Sequence, residues 1–88
     1  MKRSDSFILR QVAGKQVLVP VGSAAVEFPG MVDLNNAGSY VWQLLETEQT
    51  QAQLLQALLD KYEAEEATVK ADLEKFLQRL KSINAILA

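Results

Sequence analysis

The side chains able to carry out covalent chemistry are few. Serines stand at positions 4, 6, 23, 39 and 82, yet the chain has no histidine to activate any of them, and no serine–lysine spacing suited to a lysine base stands out. Cysteine is absent as well, which removes thiolate nucleophiles, disulfides and the usual zinc ligand sets together. Of the 11 carboxylates, Glu63, Glu65 and Glu66 gather at the start of a helical pattern and the others scatter along polar faces. That is the distribution of a solvated surface, not of a general acid/base pair or an oxygen cage for a cation. Gly14, Gly22, Gly30 and Gly38 lack the following Lys-Ser/Thr of a phosphate loop. The chain is expected not to be an enzyme by itself and to use no cofactor or metal.

The elements that position these groups fit one small domain, residues 1–88, since 88 residues at 49% hydrophobic can build a single core and no second one. A net charge of −2 gives no global field for nucleic acid or anionic lipid. The basic start, Lys2-Arg3, leads into alternating residues and not into the apolar core of a signal peptide, and no apolar run approaches the ~20 residues of a membrane-spanning helix. A soluble, cytoplasmic protein is expected.

Phe7-Ile8-Leu9-Arg10-Gln11-Val12-Ala13 and Gln16-Val17-Leu18-Val19-Pro20-Val21 are rich in apolar and β-branched residues, and Gly14-Lys15 between them reads as a two-residue hairpin turn. Pro20 has no N–H for a ladder, so the second strand ends near it or faces a free edge there. Residues 22–29 read as a loop of small residues in which Phe28 is a core plug. Gly30, Met31, Val32, Asp33 and Leu34 form a third, short strand that runs straight into Asn35-Asn36 and a helical pattern. An open sheet edge at this strand would leave unpaired backbone groups able to accept a strand from another chain. Within such a strand, one parity of residues pairs inward and the other faces out; Met31 and Asp33 are taken as the outward pair.

Three helices follow, at about residues 36–46, 50–62 and 66–82. Asn35 or Asn36 caps the first, whose Tyr40 and Trp42 read as core at a helix–sheet junction. Thr50 and Gln53 match a capping box for the second, which carries Leu54, Leu55, Leu58, Leu59 and Tyr62 on one face. The third begins among acidic residues and ends among basic ones, as the helix dipole favours. Its apolar face is Val69, Leu73, Phe76, Leu77, Leu80 and Ile83, with Asp72 and Arg79 bordering one side and Lys70, Glu74 and Lys81 the other. Asn84 suits the left-handed residue that ends a helix, leaving residues 85–87 as an extended, partly buried tail. These elements make an α+β domain, an N-terminal three-stranded antiparallel sheet followed by three helices.

The order Phe7-Ile8-Leu9-Arg10-Gln11-Val12-Ala13-Gly14, Val17-Leu18-Val19-Pro20, Gly30-Met31-Val32-Asp33-Leu34-Asn35, Trp42-Gln43-Leu44-Leu45 and Asp72-Leu73-Glu74-Lys75-Phe76-Leu77-Gln78-Arg79-Leu80 resembles the PqqD family of peptide chaperones, also called RiPP recognition elements. The resemblance spans nearly the whole chain, and it is to the broad PqqD-like group more than to the member dedicated to pyrroloquinoline quinone synthesis. It implies a winged helix-turn-helix-like domain that binds the leader of a ribosomally made precursor peptide and presents it to a modifying enzyme, frequently a radical SAM protein. It also implies that the leader adds to the third strand and lies against the third helix. On this chain those positions are Gly30, Met31, Val32, Asp33 and Leu34, with Leu73, Phe76, Leu77 and Leu80. Lys70 and Arg79 at the rim would attract an acidic leader.

Two other functions fit the same elements. A winged helix with Lys70, Lys75, Arg79 and Lys81 on its third helix could enter a DNA major groove, although Asp72, Glu74 and the acidic balance oppose it. A structural module closing its free edge in a homodimer is the other. The bland alternative for the third helix is that its apolar stripe is core and nothing else.

Overall fold

The computed structural model describes residues 1–27 and 30–87. Strands β2 (Phe7–Val12), β3 (Lys15–Pro20) and β4 (Val32–Leu34) form an antiparallel sheet in the order β2-β3-β4, after a short N-terminal strand β1 (Lys2–Arg3) that lies outside it. Rows of paired residues cross the sheet. Leu9, Leu18 and Val32 share the face turned to the helices, while Arg10, Val17 and Asp33 share the opposite one.

The hairpin turn is Ala13-Gly14, one residue earlier than the Gly14-Lys15 read from sequence. Val12 and Lys15 pair directly, and the two residues between them take φ values of 52° and 81°. A type I′ turn needs both central residues in the left-handed region, which matches the right-handed twist of the strands. Gly14 adopts that conformation freely, but Ala13 carries a Cβ that makes it cost about 1 kcal/mol. Ala13→Asn, which gives the preferred Asn-Gly turn, is expected to raise stability by about 0.5–1 kcal/mol in urea unfolding, with the midpoint moving and the slope unchanged.

Helices α2 (Asn36–Leu44), α3 (Gln51–Lys61) and α4 (Glu66–Ser82) follow, and a four-residue turn of helix, α1 (Ala24–Glu27), interrupts the expected loop before them. Phe28 lies outside the described residues. The caps form as their residue types dictate. Asn35 Oδ1 accepts from the Gly38 N–H at 2.7 Å, and both arms of the Thr50/Gln53 box are made, at 2.8 and 3.1 Å. At the end of α4, Asn84 has φ 59°; its N–H donates to the Lys81 carbonyl at 3.1 Å, and the Ala85 N–H to the Leu80 carbonyl at 2.8 Å. These two bonds are a Schellman motif, which occupies carbonyls the helix end would otherwise strand.

The tail does not stop at being extended. β5 (Ile86–Leu87) pairs with β1, in register Lys2↔Leu87 and Arg3↔Ile86. This ribbon is stitched to the rest by Arg3 N–H to the Leu45 carbonyl and Ser4 N–H to the Ala85 carbonyl, at 2.9 and 2.8 Å. The Arg3 guanidinium also lies 5.7 Å from the Trp42 ring centroid and donates to the Trp42 carbonyl at 3.2 Å. One hydrophobic core joins the inner face of the sheet, the three helices and the ribbon, with Trp42 its largest fully buried side chain.

Candidate functional site

Strand order leaves β4 at one side of the sheet, with no strand paired on its outer side among the described residues. Which of its backbone groups face out follows from the ladder. Val21 N–H donates to the Ser6 carbonyl at 2.9 Å, continuing the β2–β3 register, so Lys15, Val17 and Val19 exchange bonds with β2. Gln16, Leu18 and Pro20 therefore turn to the other side. The register Leu18↔Val32 and Gln16↔Leu34 makes these the bonded pairs with β4, and the N–H and C=O of Asp33 point away from the sheet.

The same register would set Gly30 opposite Pro20, which has no N–H to give, and the β3–β4 ladder stops at Val32. Met31, 58% exposed, continues the outward parity just before the strand, beside an exposed Gly30. The Asp33 side chain lies on the face away from the helices, next to Val17. What Asp33 offers the edge is thus its backbone and not its carboxylate.

The cavity that adjoins this edge begins at Asn35, the residue after β4. It measures about 280 Å³ and lies between the start of α2 (Asn35, Ala37, Gly38), the end of α3 (Leu58, Tyr62) and the first half of α4 (Val69, Asp72, Leu73, Phe76). Tyr62 is steadied by Tyr40, whose ring meets it edge-on at 6.4 Å, with Lys61 Nζ 4.7 Å from the Tyr40 centroid. Asp72 is exposed and is the charged residue of the lining; the other walls are mainly apolar.

The site residues expected from sequence separate into two groups. Asp33 turns its backbone to the outer side of β4 and Met31 continues that parity, Gly30 is exposed but stands on the inward parity opposite Pro20, and Phe76 and Leu73 line the cavity. Val32 and Leu34 are buried on the inner side and hold the strand in place. Leu77 and Leu80, 2% and 0% exposed, are packed into the core and do not line the cavity. Phe76 is only half-buried, so its truncation should cost less than the about 3–5 kcal/mol of a fully buried ring.

Lys70 and Arg79 sit differently with respect to the cavity. Six residues from Phe76, it lies about 120° around α4, whereas Arg79 and Asp72 lie within about 60° on the cavity flank. Lys70 and Arg79 are both exposed, but only Arg79 shares a flank with the cavity. Asn35, Ala37, Gly38, Val41, Leu58, Tyr62, Ala64, Val69 and Asp72 complete the lining without having been picked as binding residues. Gly38 alone carried a local signal, as a glycine inside a helical pattern.

Among the described residues no group of three or more His, Cys, Asp or Glu side chains is close enough to hold a metal ion, and no helix is long and apolar enough to cross a membrane. Ser39 Oγ is buried without a hydrogen-bond partner among the described residues, Ser4 Oγ accepts the Ser6 N–H, and Ser82 Oγ donates to the Arg79 carbonyl.

The family description of coenzyme PQQ synthesis protein D (PqqD) matches residues 15–86, from β3 to the ribbon. The chain belongs to the PqqD family. Among solved structures, this PqqD-family domain is similar to TbiB1 in complex with the TbiA(beta) leader peptide, with a TM-score of 0.74 and 26% identity over 97% of this chain and 93% of that one. It shares its fold, at a TM-score of 0.70 and 21% identity over 96% and 92%, with lasso peptide synthetase B1 complexed with the leader peptide. No curated protein sequence matches it. The α+β arrangement of a three-stranded antiparallel sheet and three helices expected from sequence is the fold shared with these two structures, and the β1–β5 ribbon and α1 are elements of this chain that the sequence did not show.

Proposed function

We propose that this PqqD-family domain is a non-catalytic peptide chaperone that takes the leader of a ribosomally made precursor as an added strand on β4 and presents it to a modifying enzyme. The observation that carries the proposal is the outward backbone of Asp33 on a strand with no outer partner among the described residues, followed directly by Asn35, where the cavity lining begins. Strand addition uses both parts. Main-chain bonds supply affinity whatever the sequence, and a pocket beside the edge supplies selectivity. That two solved structures of similar fold are complexes with leader peptides supports the same reading. The enzyme served is of the peptide-modifying kind, a radical SAM protein among the candidates, and the setting is the cytoplasm.

The test sets labelled candidate leaders, taken from short reading frames beside its gene, against a labelled DNA duplex. At moderate salt the domain is expected to bind a leader and not the duplex. Duplex binding that falls steeply with salt, with no response to any leader, would transfer the function to DNA, since phosphate contacts are lost with counterion release. Sedimentation in the same samples checks the edge. A dimer that persists with leader bound would place self-association elsewhere, and a dimer that excludes leader would make the edge an interface between copies.

A further inference from the structure

The face of the sheet turned away from the helices is not uniformly polar. Ile8, Val12, Val17 and Val19 stand on it beside Arg10, Lys15 and Asp33, and Met31 continues its parity just before β4. Val12 and Met31, 46% and 58% exposed, are two of the four large hydrophobics that the described residues expose. Ile8 and Val19, paired across β2 and β3, are half-buried. Val17 lies outside the core around the helices and yet is only 3% exposed. An antiparallel sheet with one wet face alternates apolar and polar residues, so apolar residues gathered on the wet side mark a contact surface.

The charges on this face select the partner. Arg10, Val17 and Asp33 form one row, with a cation on β2, an apolar residue on β3 and an anion on β4. Both charged residues are exposed, and neither makes an ion pair within the chain among the described residues. A row that runs from plus to minus through an apolar centre is complementary to itself. A twofold axis between two such faces, parallel to β3, sets β2 of each copy over β4 of the other, so that each Arg10 meets the other copy's Asp33 while Val17 meets Val17. Stacked sheets stand about 10 Å apart, a gap that an arginine and an aspartate span together. An axis across the strands would instead set Arg10 on Arg10. We infer that the outer face of the sheet docks a second copy of this chain, in a symmetric pair whose axis runs along β3 and which leaves the β4 edge open. Lys15 comes near its own copy at the hairpin end and opposes the pairing. The footprint is at most about 300 Å² per copy, from three strands about 4.8 Å apart and six residues of about 3.4 Å each, against about 800 Å² per partner in stable complexes, so the pair is weak.

Sedimentation equilibrium of the full chain from about 10 μM to about 1 mM reads the pairing, and the parent is expected to dimerise reversibly within that range. Arg10→Glu and Asp33→Lys each turn two attractive contacts into two repulsive ones and should weaken the pair at least about fivefold. Mixed one to one, the two variants are complementary again, because the new carboxylate of the first faces the new ammonium of the second and the remaining Asp33 faces the remaining Arg10. The mixture, and the double variant by itself, should return to within about twofold of the parent. Both positions are exposed, and circular dichroism checks that each variant keeps the fold. Lys15→Ala removes the like-charge contact and should tighten the pair about twofold. An edge-to-edge pair through β4 would leave Arg10 on the far strand, so a dimer indifferent to Arg10→Glu overturns the inference. A mixture no tighter than the separate variants overturns it too, as does a parent that stays monomeric, which would leave the face to a different chain. No leader enters these measurements, so their failure leaves the chaperone proposal intact.

Discussion

Proline in place of Asp33 is expected to leave the domain folded and to weaken leader binding at least tenfold, whereas proline in place of Val32 is expected to unfold much of it. The two positions are adjacent and differ in where their backbone points. The Val32 N–H bonds across to β3 through the Leu18 pair, and deleting it strands a buried carbonyl at about 1–3 kcal/mol, with the misfit of a ring at a site only 1% exposed added to that. Against a total stability of about 4–13 kcal/mol for a chain of this length, that is a large fraction.

Asp33 has no partner strand on its outward side among the described residues, so proline there removes a donor left for a bound peptide. Tenfold corresponds to about 1.4 kcal/mol, the size of one lost main-chain bond plus some crowding by the ring. Asp33→Ala keeps the N–H and should bind as the parent does, because the carboxylate lies on the other face. Circular dichroism and thermal melting establish folding, and calorimetry with a leader gives affinity. A folded Asp33→Pro variant that binds leader as tightly as the parent would end the case for strand addition at β4.

The largest loss of stability from a single truncation is expected at Trp42. Trp42→Ala removes a ring that is 1% exposed at the junction of α2, the sheet and the ribbon, and should cost about 3–5 kcal/mol. The Arg3 guanidinium loses its stacking partner in the same change, worth up to about 1–2 kcal/mol where the pair is shielded from water. Urea unfolding of Trp42→Ala beside Phe76→Ala separates core from groove. The half-buried Phe76 should lose markedly less, and a Phe76 variant as unstable as the Trp42 one would make it a core residue whose part in the cavity is incidental.

Much of this fold was legible because its helices obey their period. Leu73, Leu77 and Leu80 recur at helical spacing and are buried, the Thr50/Gln53 box and the Asn84 terminus form as their chemistry suggests, and the short strand before Asn35 is an edge strand. The rest depended on contacts that leave no local pattern. Moving the hairpin turn by one residue changes which groups of a strand face inward, and Ala13 gave no hint of a positive φ. β1 and β5 are two residues each, too short to show alternation, and they exist because the chain ends meet. The helical period places Lys70 and Arg79 on opposite borders of α4, but only packing decides which border meets the sheet edge. Gly38 stood out only as a glycine inside a helical pattern, and its neighbours in space, Asn35 Oδ1 and the Phe76 ring, left no local sign.

The ribbon also fixes where this domain can be held. Lys2 lies opposite Leu87, and the pair is anchored at the Leu45 and Ala85 ends of α2 and α4, while the cavity opens at the other ends of those helices, near Asn35 and Val69. A linker attached at either chain end would leave from nearly the same place, on the side remote from the peptide. Tethering to an enzyme by the N-terminus or by the C-terminus should then give similar reach and similar local concentration of the captured leader, so the order in which two such domains are joined in one chain would matter little and the length of the linker a great deal.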